Sequence, residues 1–160
     1  MNSDARYKND EGRAPAAEVR INVGELPTRI DLVEHYDSVG WSTYTADPLG
    51  LEKGVAASLR VVTAWAPTGE LVGLARIVGD GHTVAYLQDV LVRPRWQRSG
   101  IGRLLTEEAF APYRQVRQQL LLTDDDPGQL AFYESLGFQE IRGVEGANLR
   151  AFIRFGAERP

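Results

Sequence analysis

Three apolar runs, at residues 59–66, 71–78 and 83–92, follow one another with only turn-forming residues between them. The first gap is Pro67-Thr68-Gly69-Glu70 and the second is centred on Gly79-Asp80-Gly81, both compositions that reverse a chain tightly. Strands joined by such short connections pair antiparallel, because a parallel return needs a crossover of roughly a dozen residues or more. The middle of the chain therefore reads as a three-stranded antiparallel meander, and the rest of the fold has to be built around it.

Upstream, Val19, Ile21 and Val23 alternate as a short strand. Residues 28–39 then become helical: Ile30, Val33 and Tyr36 recur at every third position, Leu32 flanks them, and Thr28 stands where a cap belongs. Residues 40–45 (GWSTYT) carry aromatics and hydroxyls without a period. Asp47-Pro48 opens a second helix, with Asp at the cap and Pro at the first helical position. Before all of this, residues 1–18 mix both charge signs with small and polar residues and are expected to form a flexible arm, leaving 19–160 as a single domain.

Downstream, residues 100–111 read as a helix with Ile101, Leu104, Leu105 and Ala109 on its apolar face, ending near Pro112. Residues 120–123 form a short buried strand. Asp126-Pro127 opens a further helix, with Gln129 three positions after the cap, and Gly137 ends it with Phe138 packing back. Two closing strands are expected at 139–143 and 149–155. The order β-α-α-β-β-β-α-β-α-β-β describes an α+β fold with a mixed, mostly antiparallel central sheet flanked by helices, not a doubly wound one. The step from 83–92 through 100–111 to 120–123 is a right-handed parallel crossover.

Composition removes several classes of function. Acidic residues outnumber basic ones by 22 to 18, a net charge of −4, which argues against a general nucleic-acid binder. With no cysteine there is no disulfide framework, no thiolate metal site and no cysteine nucleophile, and no metal is expected. No uncharged run is long enough for a transmembrane helix or a signal-peptide core, so a cytoplasmic protein without a membrane partner is expected.

The chemistry concentrates in residues 86–105, YLQDVLVRPRWQRSGIGRLL. A strand runs to Pro94, a loop carries Arg93, Arg95 and Arg98, and Gly100-Ile101-Gly102 opens a helix. Glycines let backbone N–H groups approach a bound group, and a helix N-terminus leaves its first amides unpaired beside a partial positive charge. Those are the ingredients of a diphosphate site. Glycine spacing alone serves a tight turn with close helix–strand packing just as well. The P-loop is absent, since Arg103 follows Gly102, and the dinucleotide fingerprint fails because its third glycine falls at Leu105.

Gln97-Arg98-Ser99-Gly100-Ile101-Gly102 resembles the Q/R-x-x-G-x-G/A acetyl-CoA loop of the GCN5-related N-acetyltransferase (GNAT) family, and Val90-Leu91-Val92-Arg93-Pro94 resembles the strand that leads into it. Phe132-Tyr133-Glu134-Ser135-Leu136-Gly137-Phe138, just after Ala131, is similar to the family's [FY]-Y-x-x-x-G-F block. The resemblance spans residues 19–155. It implies that the Leu91 and Val92 backbone holds the pantetheine arm of acetyl-CoA. Amides of Gln97, Arg98, Ser99, Gly100, Ile101, Gly102 and Arg103 would hold the diphosphate, and Tyr133 would protonate the leaving thiolate. Where the family often has Asn at the start of that last helix this chain has Asp126, which reads as an N-cap occupied by the amides of Gly128 and Gln129.

Acyl transfer to an alkylamine also needs a proton acceptor. Asp89, a charged residue inside an apolar strand, is the candidate, and a structural carboxylate paired with Arg76 is the competing account. His82, in a turn, is the weaker candidate. Glu34, His35, Tyr36, Trp41 and Tyr44 lie where the family commonly builds its acceptor side. Tyr36, Trp41 and Tyr44 are taken as substrate-binding, although the same aromatics would serve equally as core. Asp124-Asp125-Asp126 reads as a solvated loop with one capping residue. The expected function is acetyl-CoA-dependent N-acetylation of a primary amine, of small-molecule type, by direct transfer in a ternary complex, in a homodimer. The alternatives are a non-catalytic acyl-CoA-sensing or protein-interaction module on the same fold, and a nucleotide binder unrelated to acyl transfer.

Overall fold

The apolar runs of the meander become β2 (Arg60–Trp65), β3 (Leu71–Gly79) and β4 (Val84–Val92) in the computed structural model, which describes residues 18–146 and 149–155. All but the last residue of the expected N-terminal arm lies outside the described residues. The strands pair antiparallel, with Thr63 opposite Leu74 and Leu74 opposite Leu91. The first turn closes through Ala66 N–H to the Glu70 carbonyl and Gly69 N–H to the Ala66 carbonyl, both 2.9 Å, and Gly69 supplies the positive φ of +85°. In the second, exposed turn the Asp80 carboxylate accepts from the backbone of His82, Thr83 and Val84 and from the Thr83 hydroxyl. These bonds, the Thr83 hydroxyl foremost, hold its carboxyl well below the usual range.

β1 (Arg20–Val23) joins β2 antiparallel, and β5 (Gln118–Leu121) joins β4 in parallel after the helical crossover, so the sheet runs β1-β2-β3-β4-β5. β3 is buried along nearly its whole length because helices cover both faces. On one face lies α4 (Ile101–Phe110), and Gly73 makes its close approach feasible: a Cβ there would meet Leu105 Cδ1 at 2.8 Å and Ile101 Cγ2 at 3.1 Å. On the other lie α1 (Arg29–Ser38) and α3 (Pro48–Ala56), whose Leu32, Tyr36, Leu51 and Val55 form one core cluster with Val61, Leu74 and Leu91.

Element positions follow the sequence closely; helix phases do so less. α1 is capped by Thr28 in a full capping box with Asp31. Its buried stripe, however, is Leu32, His35 and Tyr36, and Ile30 is 71% exposed. Both stripes obey a three-to-four spacing and share Tyr36, so periodicity alone has no means of choosing between them. The aperiodic 40–45 stretch contains α2 (Ser42–Thr45), a single turn too short to show a period. On α4, Leu104 faces solvent, while Thr106 and Phe110 complete the buried set with Ile101, Leu105 and Ala109. Pro112 is accommodated in the 3-10 turn Ala111–Tyr113 that follows.

Met1–Leu122 and Thr123–Pro160 are two compact units. In the second, α5 (Pro127–Glu134) is capped by Asp126, whose carboxylate accepts from Gln129 N–H at 3.0 Å. The bond expected from Gly128 is not formed. Gly137 takes φ +89°, Phe138 N–H returns to the Tyr133 carbonyl at 3.1 Å, and the two rings meet edge to face at 6.1 Å. The two closing strands are a correction. Residues 139–143 contain only the 3-10 turn Ile141–Gly143, and 149–155 form no strand, with Phe152 89% and Phe155 82% exposed. Alternation tells which side chains a strand would turn to one face, but a strand exists only where its backbone finds a ladder partner. Residues 147–148, where a hairpin would turn, lie outside the described residues.

Candidate active site

The helices differ in how they begin. Thr28, Asp47 and Asp126 cap α1, α3 and α5 with a side-chain oxygen on a backbone amide. α4 starts on Gly100, in the left-handed region at φ +91°, with no side-chain cap. The amides of Ile101 and Gly102, which have no partner inside the helix by construction, therefore receive none from the Gly100 cap. A Cβ on Gly100 would meet nothing within 4 Å, so the space before the helix is open. Two residues earlier Arg98 sits at φ +59°, the positive φ of a non-glycine among the described residues, a conformation that costs about 1 kcal/mol or more.

The loop is tied down on its inner side. Trp96 is buried, Ser99 Oγ donates to the Trp96 carbonyl at 2.5 Å, and Gln97 Nε2 donates to the Val92 carbonyl at 2.9 Å. β4 itself separates from β5 after Leu87, where its register with Leu121 ends, so the backbone around Leu91 and Val92 has no β5 partner. A free strand edge thus leads into a loop that ends on an uncapped helix. The arginines are less available than their clustering in sequence suggests. Glu70 pairs with Arg93 at 3.3 Å and with Arg95 at 3.0 Å, and Arg103 pairs with Glu107 at 3.4 Å. Arg93 also donates to the Leu71 carbonyl at 2.8 Å and lies 4.0 Å from Glu34. Arg98 has no ion pair among the described residues.

Asp89 reaches the opposite face from α4 because of an irregularity in β4. Arg76 pairs with Asp89 but Ile77 pairs with Leu87, leaving Gln88 as an extra residue. A bulge of this kind re-aims the side chains that follow it. Asp89 is 2% exposed and its Oδ2 accepts from both the Tyr36 hydroxyl, at 2.6 Å, and Arg76 Nε. Arg76 also donates to the Gly54 carbonyl at 3.2 Å and to Ser58 Oγ at 3.3 Å, at the end of α3. Asp89 Oδ1 is buried without a hydrogen-bond partner. The pairing with Arg76 weighed as the competing account is thus formed, with one oxygen left over.

The surrounding groups stay in one protonation state near neutrality. Burial, then the Asp89 charge and hydrogen bond, push the Tyr36 hydroxyl far up. Burial alone would lower Arg76, but Asp89 beside it turns the net shift upward. His35 is fully buried with no well-formed hydrogen bond at either ring nitrogen. Burial and then the Arg93 charge lower its pKa to about 4, against a weaker upward pull from the Leu91 and Leu71 backbone.

Trp41 and Tyr44 stack at 5.5 Å with 28° between planes, and Tyr36 meets them at 6.1 and 5.9 Å. Tyr44 is 40% exposed and Tyr36 is closed off, so the trio has an outer pair and an inner member. Burial raises the Tyr86 hydroxyl, against a downward pull from the Leu122 backbone, and the Tyr44 and Asp89 charges add to the rise. His82 is exposed in its turn and does not join the cluster. In the second unit, Tyr133 lies on α5 with Phe132 5.0 Å away, centroid to centroid. Among the described residues no cluster of side chains suits a metal ion, and no helix is long and apolar enough to cross a membrane.

These features agree with what the chain is similar to. The model of the acetyltransferase (GNAT) domain matches residues 57–140, just over half of the 160 residues. A solved GNAT-family acetyltransferase, SP0256 of Streptococcus pneumoniae TIGR4, aligns with TM-score 0.75 and 30% identity over 88% of this chain and 99% of that one. The uncharacterized N-acetyltransferase ycf52 of Gracilaria tenuistipitata var. liui is 30% identical over 142 residues, 85% of this chain and 76% of its own length. Glucosamine 6-phosphate N-acetyltransferase of Trypanosoma brucei brucei is 29% identical over 122 residues, 68% of this chain and 83% of its own. A free strand edge, a glycine-opened helix and these likenesses agree: the chain belongs to the GNAT family and is an acetyl-CoA-dependent acyltransferase.

Proposed function

We propose that the protein moves the acetyl group of acetyl-CoA to the primary amine of a small molecule, by direct transfer in a ternary complex. The observation that carries this reading is the N-terminus of α4, the one long helix among those described whose cap is left to something other than a side chain. Amides of the segment from Gln97 to Arg103 grip the diphosphate of the donor, the Gln97 N–H leaving the Pro94 carbonyl, 3.2 Å away, to do so. The backbone at Leu91 and Val92, beyond the end of the pairing with β5, takes the pantetheine arm as an added strand would be taken.

The acceptor arrives as an ammonium and must lose a proton before it can attack. Asp89 Oδ1, the unpartnered oxygen, is the proton acceptor in this reading. The freed electron pair on nitrogen bonds to the thioester carbonyl carbon, the C–S bond breaks, the thiolate takes a proton from Tyr133, and the second proton shed by the nitrogen returns the Tyr133 phenolate to its hydroxyl form. That last assignment rests on the aromatic-Tyr-x-x-x-Gly-Phe block around Tyr133. Trp41 and Tyr44 offer ring faces to the acceptor. A small-molecule acceptor is supported by the relative named for glucosamine 6-phosphate. We further take the enzyme to act in the cytoplasm as a homodimer, which light scattering on the purified chain checks.

The test is a panel of primary amines with acetyl-CoA, read as released thiol. Turnover with at least one amine is expected. Tight binding of CoA with no turnover across the panel would instead mark a non-catalytic acyl-CoA sensor, and protection by ATP but not CoA in a thermal shift would mark an unrelated nucleotide binder.

A further inference from the structure

The two oxygens of Asp89 are in unequal circumstances. Oδ2 receives Tyr36 from α1 and Arg76 from β3, while Oδ1 receives nothing. Donors from two different elements converging on one oxygen fix the plane of a carboxylate, which would otherwise rotate about its bond to the chain. Arg76 is itself held, by the Gly54 carbonyl and the Ser58 hydroxyl at the end of α3. The irregularity at Gln88 supplies the last element, since without it Asp89 would face α4 instead.

We propose that Tyr36 and Arg76 are positioning residues that hold Asp89 by one oxygen and leave the other, Oδ1, to receive the acceptor's proton through intervening water, the carboxylate itself being buried. This rests on the reading of Asp89 as the proton acceptor. In the step, one N–H bond of the ammonium breaks, a water takes that proton while handing one of its own to Oδ1, and the electron pair stays on nitrogen for attack. Tyr36 acts through Asp89 and, like the Asp89 carboxylate, is buried and does not touch the acceptor. Its hydroxyl donates to the carboxylate and so supports the charged form.

The groups facing Asp89 are Arg76 from β3, Tyr36 from α1 and Tyr86 from its own strand, with His35 edge to face with Tyr36 at 6.4 Å. Both tyrosines are pushed upward and stay protonated, Arg76 stays charged, and His35 is neutral above about 4.

The experiment compares pH profiles of kcat/KM for wild type, Tyr36→Phe and Asp89→Asn, using an amine found active in the panel. Tyr36→Phe keeps the ring and its packing and removes one donor. The acid limb is expected to move up by about half a pH unit or more, with the amine KM unchanged, and Asp89→Asn is expected to lose the limb. A limb that stays put in Tyr36→Phe while Asp89→Asn abolishes it overturns the positioning role and leaves the base in place. A limb that survives in Asp89→Asn overturns the base and this proposal with it. Should Asp89→Asn fail to fold, carbon-detected NMR titration of the Asp89 carboxyl in wild type and Tyr36→Phe reads the same shift directly, and equal midpoints overturn the proposal. A merely structural Tyr36 would lower the melting temperature and leave the limb alone.

Discussion

Two helices of this protein begin in opposite ways. α5 starts on Asp126, whose carboxylate takes the Gln129 amide, and α4 starts on a glycine that takes nothing. In α5 the polar work is finished at the N-terminus, and the residue of chemical interest, Tyr133, is a side chain near its far end. In α4 the side chains pack against β2, β3 and β4 and the backbone is what is left to bind with. An uncapped first turn forgoes about 1 kcal/mol that a Ser, Thr, Asp or Asn would supply. A fold that caps its other long helices and omits this one fits the proposed grip of α4 on the donor.

The sharpest way to break the contrast is to give α4 a cap of α5's kind. Gly100→Asp places a carboxylate on the open amides, and Asp tolerates the left-handed region better than most residues. The new side chain satisfies the amides and repels a diphosphate, so CoA affinity is expected to fall about 100-fold, close to 3 kcal/mol. Calorimetry with CoA measures it, and an affinity within a few-fold of wild type would mean that the donor does not sit on this helix. The matching change on α5 is Tyr133→Phe, which leaves its N-terminus alone. It is expected to lower kcat about 100-fold with the acetyl-CoA KM unchanged, since a proton donor acts in the transition state. Loss of affinity without loss of kcat would instead make Tyr133 a contact to the donor.

The same contrast explains what could be read in the sequence. The α4 loop is legible because its parts are contiguous from Gln97 to Gly102. Asp89 and Arg76 are legible as neighbours, thirteen positions apart across one hairpin whose turn chemistry sets the register. Tyr36 is fifty-three positions from Asp89, and no local rule brings α1 over that point of the sheet. Its helix shows why: two stripes fit the periodicity, and tertiary packing chose the one with His35 in it. The closing strands failed for a related reason, since alternation in 149–155 is a local property and pairing is not. The arginines are less available than their spacing suggests because Glu70 arrives from a turn twenty-three positions before Arg93.

His35 shows what that packing costs. Its unfolded pKa is 6.5 and its folded value about 4, so between those limits the unfolded chain takes up a proton that the folded chain refuses. Stability is therefore whole above pH 6.5, declines as pH falls, and levels off below 4, a loss of about 3 kcal/mol when complete. Denaturant unfolding at pH 7 and pH 4.5 measures it. His35→Leu is expected to lose much of the difference, and an unchanged difference would assign the acid sensitivity to other groups.

The smallest effect concerns the capped helix. Asp126→Ala leaves the Gln129 amide without its acceptor and is expected to cost about 1 kcal/mol of stability. CoA affinity should not move, because here the cap is a side chain and the ligand has no part in it. If Asp126→Ala weakened CoA binding as Gly100→Asp does, the carboxylate would be serving the donor site as well as its own helix. The distinction between a helix closed by its sequence and one left open for a ligand would then fail at α5.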